Sequence, residues 1–381
     1  MKNSDYEIKY IKVLDGIRAL AIIIIVWFHF WQQSWIFHHI GNVSLDFIPR
    51  YGYLLVEMMV LLSSFCLFIP YARSIVYKEE IPNTKKFYQN RAIRILPSYL
   101  LSMVIAIIFM IISSKNITLS FFIKDTITHL LFTHNLFLDT LVSTNYIGVL
   151  WTVALEVQFY LIFPFLAKKF MKHPVITYLI MMGIGIISTV VIHFTVNTNN
   201  ISLLVNNPLT FFMVYANGMM GCYLYIKYTK DKKRNIVKDL IFTIISIVCI
   251  FIYKYLCSTI GLDIQKWQID YRLILSILFT IFIISTILSI KYYRFLFENK
   301  IMKFIALISF NLYIYHQFIA VKLKEYRFPY WSGDTPPNIL GDSKWQWTYF
   351  ILCIVISVIV AVIITYCFEK PITRKMKKKV S

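Results

Sequence analysis

The chain has 381 residues, of which 58% are hydrophobic and only 15% charged. So little charge excludes a soluble domain of this length and points to an integral membrane protein. The net charge of +20 does not point to nucleic acid, because the basic residues sit in short clusters between apolar runs. Such clusters read as topology signals, with scope to bind phosphorylated ligands or anionic lipid.

The first apolar run, Leu14 to Trp31, reads LDGIRALAIIIIVWFHFW. With its flanks it is long enough to cross the ~30 Å hydrocarbon core and too long for a signal peptide. Arg18 and His29 lie close to three helical turns apart, and Asp15 one turn before Arg18, so all three share a face. An ionisable group in hydrocarbon costs at least ~2.5 kcal/mol. That stripe must therefore face protein or a hydrated cavity.

Further apolar runs predict an all-α membrane protein with about ten spans, at 13–34, 52–72, 96–113, 146–167, 174–195, 207–227, 237–258, 271–290, 301–321 and 347–367. Basic clusters fall on alternate connections. They begin with Lys2, Lys9 and Lys12, continue through Lys85, Lys86, Arg91 and Arg94, and close with Arg374 to Lys379. Asn197 to Asn207 carries no Lys or Arg. The last outer loop, with Lys322, Lys324, Arg327 and Lys344, is an exception. The positive-inside rule places both termini in the cytoplasm, in a multi-pass protein of the cell membrane. Residues 112–146 are moderately apolar and are expected to lie along the interface or re-enter. Residues 1–381 are expected to form a single transmembrane domain without a soluble one. The six cysteines lie in or beside apolar runs without metal-type pairing, so no metal is expected.

Six polar residues stand out from their apolar surroundings: Arg18, His29, Glu57, Glu156, Asn217 and His316. Each alone reads equally as a buried structural partner, for instance Glu57 or Glu156 neutralising Arg18. His29 suits general-base work, since its ordinary pKa of ~6.5 is easily tuned. Arg91 and Arg94, in KKFYQNRAIRILPSYL, are spaced to put two guanidiniums on one helical face. That geometry fits bidentate phosphate binding and a cytoplasmic phosphate-bearing donor. Glu156 sits among aromatics in LWTVALEVQFYLIFP, and SFNLYIYH places Ser309, Tyr313 and His316 near one side.

Together these stretches resemble acyltransferase family 3, the membrane proteins that include bacterial surface-glycan O-acetyltransferases. Arg18 and His29 match the family's Arg, ten residues, His signature, and RAIRILPSY its Arg-x-x-Arg element with the following Pro97. LWTVALEVQFYLIFP is similar to its Trp-Ser-x-x-x-Glu pattern, with Thr152 for Ser. SFNLYIYH looks like its Ser-Tyr-x-x-Tyr-x-x-His stretch, and FEKP, Phe368 to Pro371, like its closing Glu-x-Pro. One departure falls in VEMMVLLSSF, where Ser64 replaces a family glycine and bears on close helix packing.

The resemblance implies transfer of an acyl group, usually acetyl from acetyl-CoA, to a hydroxyl of an extracytoplasmic or lipid-linked glycan. On that reading Arg91, Arg94 and Arg18 hold the CoA phosphates or orient the thioester. His29 acts as general base or as a covalent relay, and Glu156 orients or stabilises the imidazole. Asp15, Glu57, Tyr313 and His316 are additional candidates. The competing reading is a transporter or flippase of a glycan or lipid precursor. Such a protein more often shows Gly/Pro-broken half-helices and internal symmetry; neither is evident here, and Gly is scarce at 11 residues.

Overall fold

In the computed structural model, residues 6, 9–113, 117–195 and 200–380 are described. Lys2, residues 197–199 and the Lys379 side chain, which entered the reading of loop charge, lie outside them. Each long apolar run closes its backbone hydrogen bonds internally as a helix, the arrangement hydrocarbon demands. Among the described residues, ten helices are long and apolar enough to cross a membrane. They are α1 Lys12–Ser34, α2 Gly52–Tyr77, α3 Thr84–Ile112, α4 Leu150–Lys172, α5 Pro174–Thr195, α6 Ile201–Thr229, α7 Ile236–Ser258, α8 Ile264–Leu288, α9 Lys300–Glu325 and α10 Ser343–Lys378. Their number agrees with the ten apolar runs read from the sequence. The one strand pair among the described residues is a two-residue ladder, His39–Ile40 against Val43–Ser44.

Local polar residues set the helix starts. Asn83, Asn235, Asp263, Asn299 and Asp342 each accept a backbone N–H at the beginning of α3, α7, α8, α9 and α10. The Asn83 cap starts α3 at Thr84 rather than near 96. Arg91 and Arg94 are therefore helical rather than a flank, and the 29-residue helix, about 44 Å long at 1.5 Å per residue, overshoots the hydrocarbon core. The last helix also outruns its expected end at 367, continuing through a π-helical turn, Ile364–Glu369, into the basic stretch Lys370–Val380.

In the bundle, α1 packs on α9 and α2, α2 on α6, α7 on α8, and α9 on α10. Close packing survives at Ser64 because the small residue is supplied by the facing helix. A Cβ at Gly218 would overlap the Ser64 hydroxyl and come 2.6 Å from the Leu61 carbonyl oxygen. Gly218→Ala is therefore expected to destabilise the protein by about 1–3 kcal/mol through forced separation of α2 and α6. Detergent-solubilised protein should melt measurably lower, while Gly183→Ala, which meets no neighbour within 4 Å, should not.

Residues 117–146 form the helices Leu119–Leu130 and Leu138–Val142, tied to α3 and α4. The Tyr99 hydroxyl donates to the His129 carbonyl at 2.9 Å, and Gln158 donates to the Phe132 carbonyl at 2.6 Å and to Asn135 at 2.7 Å. The buried His129 and His134 rings stack 3.7 Å apart, with Asp125 beside His129. Burial, with His129 adding to it, pushes the His134 imidazole down to about 3. The folded state thus binds fewer protons than the unfolded one, so this segment loses stability as pH falls from about 6.5 toward 3. Amide protection over 117–146, measured against the intrinsic exchange rate at each pH, should fall as pH drops from 7.5 to 5.

Candidate active site

Three cavities lie in series along α1. The first, of about 810 Å³, is bounded by Tyr10 and Asp15 at the start of α1, by Arg91 and Arg94 in the early turns of α3, by Lys300 and Lys303 at the start of α9, and by Glu369 and Lys377 at the end of α10. The second, of about 420 Å³, shares Asn90, Arg91, Arg94, Ser309 and Phe310 with the first and adds Arg18, Ser63, Cys66, Thr152, Glu156, Tyr160 and Tyr313. The third, of about 260 Å³, holds His29 with Phe28, Tyr53, Gly148, Gln268 and Gln317. It meets the second at Val56 and Tyr313. From Arg18 to His29 the rise along α1 is about 16 Å at 1.5 Å per residue, roughly half the hydrocarbon thickness.

The middle cavity is where the arginines and Glu156 converge. Arg18 pairs with Asp15 at 3.5 Å and points a guanidinium N–H at Cys66 Sγ, 3.7 Å away. Arg91 lies 5.8 Å from the ring centres of both Phe87 and Tyr160. Ser63 donates to Glu156 Oε1 at 2.5 Å and lies 3.2 Å from the Tyr160 hydroxyl. The expected motif residues of α1, α3 and α4 thus share one enclosure, and a carboxylate offsets part of its positive charge. Planar guanidiniums converging on a roomy cleft suit a polyanion.

Tyr313 forms the wall between the second and third cavities and receives a hydrogen bond from Thr152 Oγ1 at 2.9 Å. The hydroxyl that Thr152 shares with the serine of the motif is what matters here. Thr152→Ser is expected to keep the Tyr313 ring in place, whereas Thr152→Val should lower turnover at this site about 5- to 10-fold by freeing the ring, read as initial rate.

Beyond that wall, His29 Nδ1 stands 3.2 Å from Gln32 Oε1 and 3.3 Å from Gln317 Nε2. His316 packs its ring 5.0 Å from the His29 ring and turns Nδ1 to the Tyr313 carbonyl at 2.7 Å, which makes Nδ1 the protonated nitrogen. Glu156, assigned by sequence to orient His29, instead lines the middle cavity with the arginines, and the imidazole's Nδ1, when protonated, donates to the Gln32 amide oxygen with the Gln317 side chain beside it. Glu57 does not neutralise Arg18 either. It pairs with Arg272 at 2.9 Å, both side chains wholly buried. Asn217 is a structural knot, accepting from Tyr178 at 2.9 Å and donating to Ser276 at 2.7 Å.

Three residues of the quoted motifs, Ser98, Asn311 and Glu369, were given no role by the sequence and meet beside the first cavity. Asn311 donates to Glu369 Oε2 at 2.5 Å, and Ser98 donates to the same oxygen at 3.4 Å. Three separated motifs are thereby tied together, and the π-helical turn re-aims Glu369 toward them. The signal was an amide inside the apolar run of SFNLYIYH.

An acyltransferase-domain family model matches residues 11–366. The chain belongs to acyltransferase family 3. Among curated proteins, this family member is 24% identical over 386 residues to the O-acetyltransferase OatA of Staphylococcus aureus, covering 97% of this chain and 58% of the relative. It is 26% identical over 200 residues to the peptidoglycan O-acetyltransferase OatA of Listeria monocytogenes, covering 50% of this chain and 30% of that protein. A putative O-acetyltransferase of Staphylococcus aureus is 25% identical over 350 residues, covering 87% of this chain and 53% of the relative. The chain thus spans at most about three-fifths of the length of these relatives. No solved structure matches it significantly.

Proposed function

We propose that this acyltransferase moves an acyl group, acetyl foremost, from a CoA thioester to a hydroxyl of a glycan on the far side of the cell membrane. The observation that carries this reading is the series of cavities, basic at one end and holding His29 at the other. The basic loops on alternate connections favour a cytoplasmic basic end, with both termini on that side. The glycan acceptor follows the printed names of the relatives.

In this mechanism Arg91, Arg94 and Arg18 hold the donor's phosphates while its thin arm extends past Thr152 and Tyr313 toward His29. With Nδ1–H donating to Gln32, Nε2 presents its lone pair to the third cavity. The acceptor oxygen bonds to the thioester carbonyl carbon as its proton passes to Nε2. The C–S bond then breaks, and the proton goes to the departing thiolate. Glu156 balances the arginine cluster rather than touching the imidazole.

The test is thiol release from acetyl-CoA by purified protein with soluble peptidoglycan fragments. Acceptor-dependent release with ester formed on the glycan supports the reading; no ester under any acceptor concentration overturns it.

A further inference from the structure

We propose that the 810 Å³ basic cavity is a nucleotide subsite, in which Lys300, Lys303 and Lys377 take a terminal phosphate monoester of the donor and Arg91 and Arg94 its diphosphate. This rests on the CoA-thioester reading above and adds the residues and the part of the donor they recognise. The lysines come from two distant stretches, the start of α9 and the tail of α10, and converge on one chamber. Lys300 and Lys303 are three residues apart on a helix and so share a face.

Charge and partnering carry the inference. Five cations line the chamber against two carboxylates, Asp15 and Glu369. Both carboxylates are already engaged: Asp15 by Arg18 and the Tyr10 hydroxyl, and Glu369 by Asn311 and Ser98. Among the described residues, none of the three lysines has an ion pair within 4.0 Å. All three are exposed. A concave site of this volume with unneutralised cations fits a polyphosphorylated ligand. The two arginines also line the next cavity, so a ligand held here hands its uncharged end onward toward Tyr313.

The experiment compares acetyl-CoA with acetyl-dephospho-CoA, which lacks the terminal monoester, using full-length protein in phosphatidylcholine vesicles. Wild type should show a KM about tenfold lower for acetyl-CoA, and Lys300→Ala/Lys303→Ala/Lys377→Ala should bring that ratio toward one. Replacing the same lysines with arginine should preserve the preference. If the alanine variant keeps the wild-type ratio, the subsite assignment is wrong while the donor reading stands. If neither thioester supports transfer by wild type, both fall. If the variant loses activity equally with both donors and anionic lipid restores it, the lysines serve a lipid headgroup and the proposal is overturned.

Discussion

His29→Ala is expected to lower acyl transfer by about 100- to 10,000-fold, with the loss in kcat rather than KM. The imidazole lines the far cavity, with Nδ1 flanked by Gln32 and Gln317. In the proposed mechanism the donor's charged end lies with residues of the other two cavities, so removing the ring should leave donor affinity nearly intact. Steady-state kinetics together with donor binding separate the two quantities. Donor affinity lost in parallel with rate would move His29 from chemistry to binding. Rate unchanged would remove it from the site.

Breaking the Glu57–Arg272 pair is expected to cost more stability than Gly218→Ala. Arg272 donates through Nε to Glu57 at 2.9 Å and through Nη1 to the Val205 carbonyl at 2.9 Å and to Thr210, and it covers the Phe211 ring with its guanidinium 4.1 Å from the ring centre. Neither charge has any solvent access. Arg272→Met leaves the carboxylate buried and unpaired, at a cost of about 3–5 kcal/mol. The double exchange Glu57→Leu/Arg272→Met should recover much of that loss, since two desolvated charges are removed together. Thermal unfolding in detergent measures both. A single variant that melts with wild type would show that the pair contributes nothing net.

Much of the architecture was legible because hydrocarbon imposes two strong rules. Runs of apolar residues become helices, and ionisable residues within them face inward. Hence the ten helices and the gathering of Arg18, Arg91, Arg94 and Glu156 in one cavity follow from the sequence pattern. Pairings across helices did not, because no local spacing encodes them. Glu57 finds Arg272 from a helix more than 200 positions away, and Arg272 stands at the very edge of the predicted 271–290 span, where a charge draws no notice. Gln32 and Gln317 gave no signal because a neutral amide near the end of an apolar run, or two turns inside a helix, carries no charge to mark it. Ser64 was read against a missing glycine on its own helix, whereas the small residue stood opposite, at Gly218.

The proposed reaction is acyl transfer through His29 to a surface hydroxyl. Its most direct measurement is surface O-acetyl content in a deletion strain complemented with wild type or His29→Ala at matched expression. Acetyl groups should disappear on deletion, return with wild type and stay absent with His29→Ala. Full restoration by His29→Ala contradicts the assignment of His29. Unchanged acetylation with a glycan precursor accumulating inside the cell contradicts acyl transfer itself and points to a flippase.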